Sequence, residues 1–305
     1  RLRVAGRFDT GGLLDTILAL PKILGILHEE KPDYVVVYGW TSLLFLLALL
    51  KRALRFRLIF VCALDAEIDG GFRRENPVRG WLFETGMVLS DFRLGITRHQ
   101  ADIFERRGMR CGVTRLLLQN TGFAEGVEKP VDLLWVARCH PVKRPMLFLD
   151  LAARLPTARC RMICSPQDAG LWEDVRARAA GLPHVEFLES APYNSIQDHF
   201  NTAKIFVNTS TQEGVPNTFI HAGLGGAAIA SLLVDPDSMF QVFRPGLCAG
   251  DDPRALEAGI RSLLENPDRL SDARNEAARF IREWHNNEAN VAAFLSGVGL
   301  ADSSA

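Results

Sequence analysis

Two short segments carry the residue types that handle an anionic substrate. The first, Ala137-Arg138-Cys139-His140-Pro141-Val142-Lys143-Arg144-Pro145, crowds three basic side chains into one loop. A positioned arginine and lysine can neutralise charge that builds on a departing phosphate by electrostatics alone. The second runs from Ile205-Phe206-Val207-Asn208 through Thr209-Ser210-Thr211-Gln212 into Glu213-Gly214-Val215-Pro216-Asn217-Thr218, an apolar run followed by a small polar loop and a helical stretch. Free amide groups at a helix start, with the positive end of its dipole, hold a diphosphate without a metal ion. Gly214 would let the backbone approach such a ligand closely. A carboxylate does not attract phosphate, so Glu213 is suited to accept hydrogen bonds from sugar hydroxyls beside it. Each segment taken singly also has a plainer reading. One is a helix start that Glu213 merely complements, and the other is a solvated loop with Lys143 and Arg144 facing water.

The elements that must position these loops follow from the hydropathy pattern. Apolar runs of five to eight residues alternate with amphipathic stretches, as expected for parallel strands joined by crossover helices, so the fold class is α/β throughout. In the first half the pattern predicts strands at 34–38, 58–61, 92–96 and 113–117, with helices over 17–30, 79–89 and 100–107. A loop-like stretch through Asn120-Thr121-Gly122 to Glu128-Lys129-Pro130 marks a domain boundary. We therefore expect a first Rossmann-like domain over 1–121 and a second over 122–305. The second half should run strand 133–136, helix 146–154, strand 161–164, helix 171–180, strand 185–188, helix 196–201, strand 205–208, helix 218–224, strand 227–232, helix 253–264 and one long helix over 269–295. Ligands of such sheets sit beyond the carboxyl ends of the strands, so the loops that end there, facing a cleft between two domains, are the place to test.

Composition narrows the function classes. With 305 residues, two cores are expected. A net charge of -1 with 48% hydrophobic residues describes an ordinary globular chain and supports no nucleic-acid partner. The six cysteines are scattered, several inside apolar runs, as suits free thiols in a reducing cytoplasm. Cys160 and Cys164 lack a second ligand pair for zinc. The most apolar stretch, Leu43 to Leu50, falls well short of the roughly 20 residues that span a bilayer and reads as a buried helix. Lys51, Arg52, Arg55 and Arg57 beside it leave peripheral contact with the inner face of a membrane as an alternative. The acids Asp65, Glu67 and Asp69 follow the strand 58–61, where acceptor-facing residues belong. A solvated loop is the commoner fate of such a run, and acceptor recognition or metal ligation are the alternatives weighed against it.

Four segments in register resemble the retaining family four of the GT-B glycosyltransferases, the glycosyl transferases group 1. They are Leu134-Trp135-Val136-Ala137-Arg138 with Lys143-Arg144-Pro145, then Val185-Glu186-Phe187-Leu188, then Glu213 to Phe219, then Asp235-Pro236-Asp237. The resemblance covers about residues 131 to 290 and implies two Rossmann-like domains with parallel sheets. It implies that Arg138 and Lys143 contact the donor diphosphate. Glu213 and the backbone of Gly214, Val215, Pro216, Asn217 and Thr218 would hold the donor sugar and phosphates, and the nucleobase would lie near Ala191 and Tyr193. Family members carry a glutamate eight positions after the first to bind the ribose hydroxyls, and this chain has His221 there. A neutral imidazole accepts one hydrogen bond and cannot match a carboxylate engaging two hydroxyls. Lys31-Pro32-Asp33-Tyr34 and Ser90-Asp91-Phe92 resemble the acceptor domain, which we expect this sequence to enter partway, with the first strand or two absent.

The function so implied is transfer of a sugar from a nucleotide-sugar donor to a hydroxyl acceptor, a glycan or a lipid-linked saccharide, with retention and without a metal or other cofactor. In that chemistry the leaving diphosphate accepts the acceptor's proton, so no protein base is needed. Two rivals stand beside it. A degenerate donor-binding or partner subunit is motivated by His221, and another GT-B enzyme such as a nucleotide-sugar epimerase would use an acid or base such as Asp65 or His99.

Overall fold

Alternating apolar runs and amphipathic stretches fold as strands and crossover helices in two units. The computed structural model describes residues 13–118, 122–124, 126–192 and 194–300, with side chains from Leu18 onward. The first unit holds the residues up to Leu116 and those from Glu288 on, and the second holds Leu117–Asn287.

In the first unit the order is α1 (Leu13–Glu30), β1 (Tyr34–Tyr38), α2 (Leu43–Leu54), β2 (Arg57–Cys62), α3 (Gly71–Glu75), α4 (Pro77–Leu89), β3 (Phe92–Gly95), α5 (Arg98–Arg106) and β4 (Gly112–Val113). The four strands are parallel in the order β1-β2-β3-β4. Phe60 on β2 meets Phe83 on α4 edge to face at 5.4 Å, inside a core that also takes Leu44, Leu47, Leu58 and Phe104. Gly86 allows α2 and α4 to touch, because a Cβ there would lie 2.7 Å from the backbone nitrogen of Phe45. β4 is only two residues long, shorter than the predicted run to 117. Beyond Thr114, whose amide bonds the carbonyl of Gly95, the chain leaves the sheet edge.

The second unit continues with β5 (Val131–Arg138), α6 (Pro145–Arg154), β6 (Cys160–Ser165), α7 (Ala169–Ala180), β7 (Val185–Leu188), α8 (Ile196–Asn201), β8 (Ala203–Asn208), α9 (Asn217–Leu224), β9 (Ala228–Ser231), α10 (Met239–Val242), β10 (Gly246–Cys248), α11 (Pro253–Glu265) and α12 (Pro267–Trp284). Its six strands are all parallel in the order β10-β9-β8-β5-β6-β7. Strand order therefore reverses between β5 and β8, which pair directly. That is the switch point at which two loops diverge and leave room for a ligand. β9 falls inside the predicted strand 227–232, whereas β10, three half-buried residues, is too short to stand out in the pattern.

The predicted single helix over 269–295 is two helices, α12 and α13 (Asn287–Gly297). The chain breaks at His285, which is buried against Phe280, and Asn287 turns its amide to Leu118, accepting from its N–H at 2.8 Å and donating to its carbonyl at 2.9 Å. α13 belongs with the first unit, where Gly297 packs on Leu94.

Candidate functional site

The loops leaving β5 and β8 are stitched together by groups that hydropathy does not reveal. After Arg138 the chain makes a short 3-10 turn over Pro141–Lys143, with His140 Nδ1 accepting from the Val142 amide at 3.3 Å. Arg144 then takes a left-handed conformation (φ 47°, ψ 54°) as the N-cap of α6. Its guanidinium turns away from solvent: Nε donates to the Thr209 carbonyl at 2.7 Å and Nη1 pairs with Asp251 at 2.6 Å. The Thr209 hydroxyl donates to the Lys143 carbonyl at 2.6 Å and accepts from the indole of Trp135 at 2.9 Å. Thr211 donates its amide to the Val142 carbonyl. Of the three cations crowding the first loop, Arg144 is thus an anchor for the second loop, and the reading of Arg144 as a solvated side chain is corrected.

Arg138 and Lys143 remain. Both line a groove of ≈ 210 Å³ with Ser210, Glu213, Asn217 and Thr218. Lys143 Nζ pairs with Glu213 Oε1 at 2.5 Å, and that same oxygen accepts from the Ser210 hydroxyl at 2.9 Å. The carboxylate and the ammonium are each mostly covered, so the pair is held in a definite place and not swung into water. Glu213 leads through buried Gly214 and Val215 to Pro216, whose extended backbone (φ −63°, ψ 123°) opens α9 without any side-chain cap. The amide end of α9 therefore points at the groove that Arg138 and Lys143 border, a geometry suited to an anion.

A second groove, ≈ 540 Å³, shares Val136, Asn217 and Thr218 with the first and extends along α8 and α9. Its walls are largely apolar, with Leu117, Ile196, Phe200 and Leu224, and beyond Asn217 and Thr218 its polar groups are Asn194, Gln197 and His221. The His221 ring stacks on Phe200 at 5.3 Å and 25°. Gln197 Nε2 donates to the His221 carbonyl and to Asn201 Oδ1, so Gln197 Oε1, 2.7 Å from His221 Nδ1, is an acceptor. The network thereby assigns the proton to Nδ1 and leaves Nε2 as an acceptor. Burial holds the imidazole below the usual histidine range and keeps it neutral. Ala191 sits half-buried in the loop after β7 and lines neither groove. Tyr193 lies outside the described residues. Asn194, in the turn before α8, and Gln197, on that short helix, carry no signal in the sequence, because single polar residues there have no spacing pattern.

In the first unit the acids after β2 separate. Glu67 is buried, not solvated: its oxygens accept the amides of Trp40 at 3.0 Å and Ala63 at 2.9 Å, tying the loop after β1 to the loop after β2. Burial raises its pKa against the lowering effect of those bonds. Asp65 accepts from Gln100 Nε2 at 3.1 Å and lies 3.8 Å from His99 Nε2. Asp69 accepts the Gly71 amide. Among the described residues no group of three or more His, Cys, Asp or Glu side chains is placed to hold a metal.

Two all-parallel, Rossmann-like units in one chain, with the ligand-facing loops at a strand-order reversal, define the GT-B architecture. The same fold is found in sucrose-phosphate synthase from Thermosynechococcus elongatus, 14% identical with a TM-score of 0.75 over 95% of this chain and 81% of that one. Residues 130–266, which hold both loops and both grooves' central walls, match the model of the glycosyl transferases group 1 family. A D-inositol 3-phosphate glycosyltransferase from Geodermatophilus obscurus is 29% identical over 174 residues, 51% of this chain and 38% of that protein. D-inositol 3-phosphate glycosyltransferase 2 from Catenulispora acidiphila is 30% identical over 178 residues, 51% and 42% respectively. The match thus spans well under half the length of these relatives.

Proposed function

We propose that the chain transfers a sugar from a nucleotide-diphosphate donor to a hydroxyl acceptor, a glycan or a lipid-linked saccharide, with retention and without a metal. The observation that carries this reading is the convergence of Arg138, Lys143, Glu213 and the uncapped start of α9 on one small groove at the β5/β8 switch point. Arg138, Lys143 and the amides of Asn217 and Thr218 take the diphosphate. Glu213 exchanges its bond to Lys143 for hydroxyls of the donor sugar, which frees the ammonium for the departing phosphate oxygen. Gly214, Val215 and Pro216 shape the turn that aims these amides. The nucleoside lies in the larger groove, with a ribose hydroxyl on His221 Nε2 and the base toward Ala191 and Tyr193. On the face where the donor bond breaks, the leaving oxygen takes the acceptor's proton, so the groove needs no base of its own. A cytoplasmic setting goes with this reading and is supported by the free cysteines.

Calorimetry with UDP, GDP, ADP and their sugars tests the reading, followed by product analysis by anomeric NMR in the presence of a chelator. Binding of one nucleoside diphosphate and metal-free formation of a product with the donor's anomeric configuration are expected. Absence of binding across the panel would sink it. The single-acceptor His221 favours a second reading, a subunit that binds a donor without turning it over, which predicts binding with no product. If an epimerase were the answer, Asp65→Asn or His99→Gln would abolish release of an altered sugar.

A further inference from the structure

The outer face of α2 and α4 carries an apolar surface that no described element covers. At 100° per residue, Val78, Trp81, Leu82, Thr85, Val88 and Leu89 fall within an arc of about 120° on α4. Val78 is 72% exposed, Trp81 50% and Val88 54%. The only polar member, Thr85, donates its hydroxyl to the Trp81 carbonyl at 2.8 Å, so it makes little demand on solvent. Phe45 joins the face from α2, its ring 6.3 Å from that of Trp81, and Leu49, 56% exposed, follows one turn on. Isolated exposed leucines are ordinary, whereas a continuous surface of this kind marks a contact.

Charge indicates what the contact is. The segment 51–57 that closes α2 and opens β2 has four cations, Lys51, Arg52, Arg55 and Arg57, and no acid. Lys51 donates to the Leu89 carbonyl at 2.6 Å and pairs with Asp91 at 2.8 Å, which places this basic end of α2 against the end of the α4 arc and leaves the arginines as the cations that face outward. Arg52 and Arg55 are exposed there, and Arg74, exposed as well, stands just before the other end of α4. An uncharged face that presents an indole and aliphatic side chains and is bordered by guanidiniums fits a bilayer interface. There indoles lie at the headgroup level and cations meet lipid phosphates. We propose that the α2–α4 face is a peripheral docking surface for a membrane rich in anionic lipid.

The test uses the whole chain with sedimenting vesicles, either phosphatidylcholine alone or phosphatidylcholine with one third phosphatidylglycerol. The chain should co-sediment with the anionic vesicles at least roughly tenfold more tightly than with the neutral ones, and salt should release it. Arg52→Gln and Arg55→Gln should weaken binding about fivefold each. Trp81→Ser should weaken it on the order of tenfold. Circular dichroism melting shows whether that variant keeps its fold, and if it does not, the exposed arginine variants alone decide. Equal partition between the two vesicle types, no sedimentation, or variants that bind like the parent would overturn the proposal. So would a dimer, seen by light scattering, that Trp81→Ser dissolves, since the face would then pair with a second copy.

Discussion

At the scale of the residue, the groove is built on one shared oxygen. Glu213 Oε1 holds both Lys143 and the Ser210 hydroxyl, so these side chains are fixed relative to one another. Preorganised charges of this sort are worth more than mobile ones, because nothing has to be reordered at the moment of reaction. Lys143→Ala and Arg138→Ala should each lower kcat on the order of a hundredfold or more, measured as released nucleoside diphosphate. Glu213→Gln keeps the shape while losing the charge, and should reduce kcat without abolishing calorimetric binding of the diphosphate. His221 yields a different kind of expectation. Burial depresses its pKa, so the folded chain binds fewer protons than the unfolded one below the ordinary histidine pKa. Stability is then fully present above that ordinary value of about 6.5 and falls with pH below it, until the folded-state pKa is passed. Scans of Tm from about pH 7.5 down to about pH 5 should show a shallower fall for His221→Gln than for the parent. An equal fall in both would refute the assignment of a neutral, buried imidazole.

At the scale of the element, close approaches position the grooves. Gly225 lets α9 end against α8, since a Cβ there would lie 2.7 Å from backbone atoms of Phe200. Lys129 closes the same corner, donating to the carbonyls of Asn201 at 2.8 Å and Gly225 at 2.6 Å, the C-terminal ends of those two helices. Desolvation pushes its pKa down to about 8. A cation placed there complements both helix dipoles, and no carboxylate needs to be buried with it. Gly225→Ala should cost about 1–3 kcal/mol in denaturant unfolding and should also weaken nucleotide binding, because α8 and α9 form one wall of the larger groove. Gly86→Ala, in the contact between α2 and α4, should cost a similar amount, about 1–3 kcal/mol, and leave nucleotide binding unchanged. If Gly86→Ala impaired binding as much as Gly225→Ala, the assignment of the grooves to the second unit would be wrong. The helices flanking these contacts were legible from their 3.6-residue pattern. The glycines at the contacts were not, since a glycine in a helix looks the same whether it faces a neighbour or water.

At the scale of the whole molecule, the second unit is one continuous segment, while the first is completed by α13 after the chain has returned. Gly297 and Gly112 both pack on the Leu94 side chain, so α13 closes the sheet edge at β4. Deleting the residues from Glu288 on should lower the melting of the first unit and leave nucleoside-diphosphate affinity within about twofold, since both grooves are lined from the second unit alone. A proportionate loss of affinity would contradict that division.

What the amino-acid sequence determines by itself is local: which runs are strands and helices, that strands alternate with crossovers, and that Arg138, Lys143 and Glu213 sit on strand-to-helix loops. These follow from hydropathy period and turn chemistry, which act over a few residues. Only the tertiary structure decided that β8 lies beside β5, and hence that the Arg138–Lys143 loop and the Glu213 loop, some seventy positions apart, share one groove. It likewise decided that Arg144 anchors a neighbouring loop, that Glu67 is buried, and that α13 returns to the first unit. Strand order and the direction of a charged side chain depend on contacts between distant segments, and no short-range pattern encodes those.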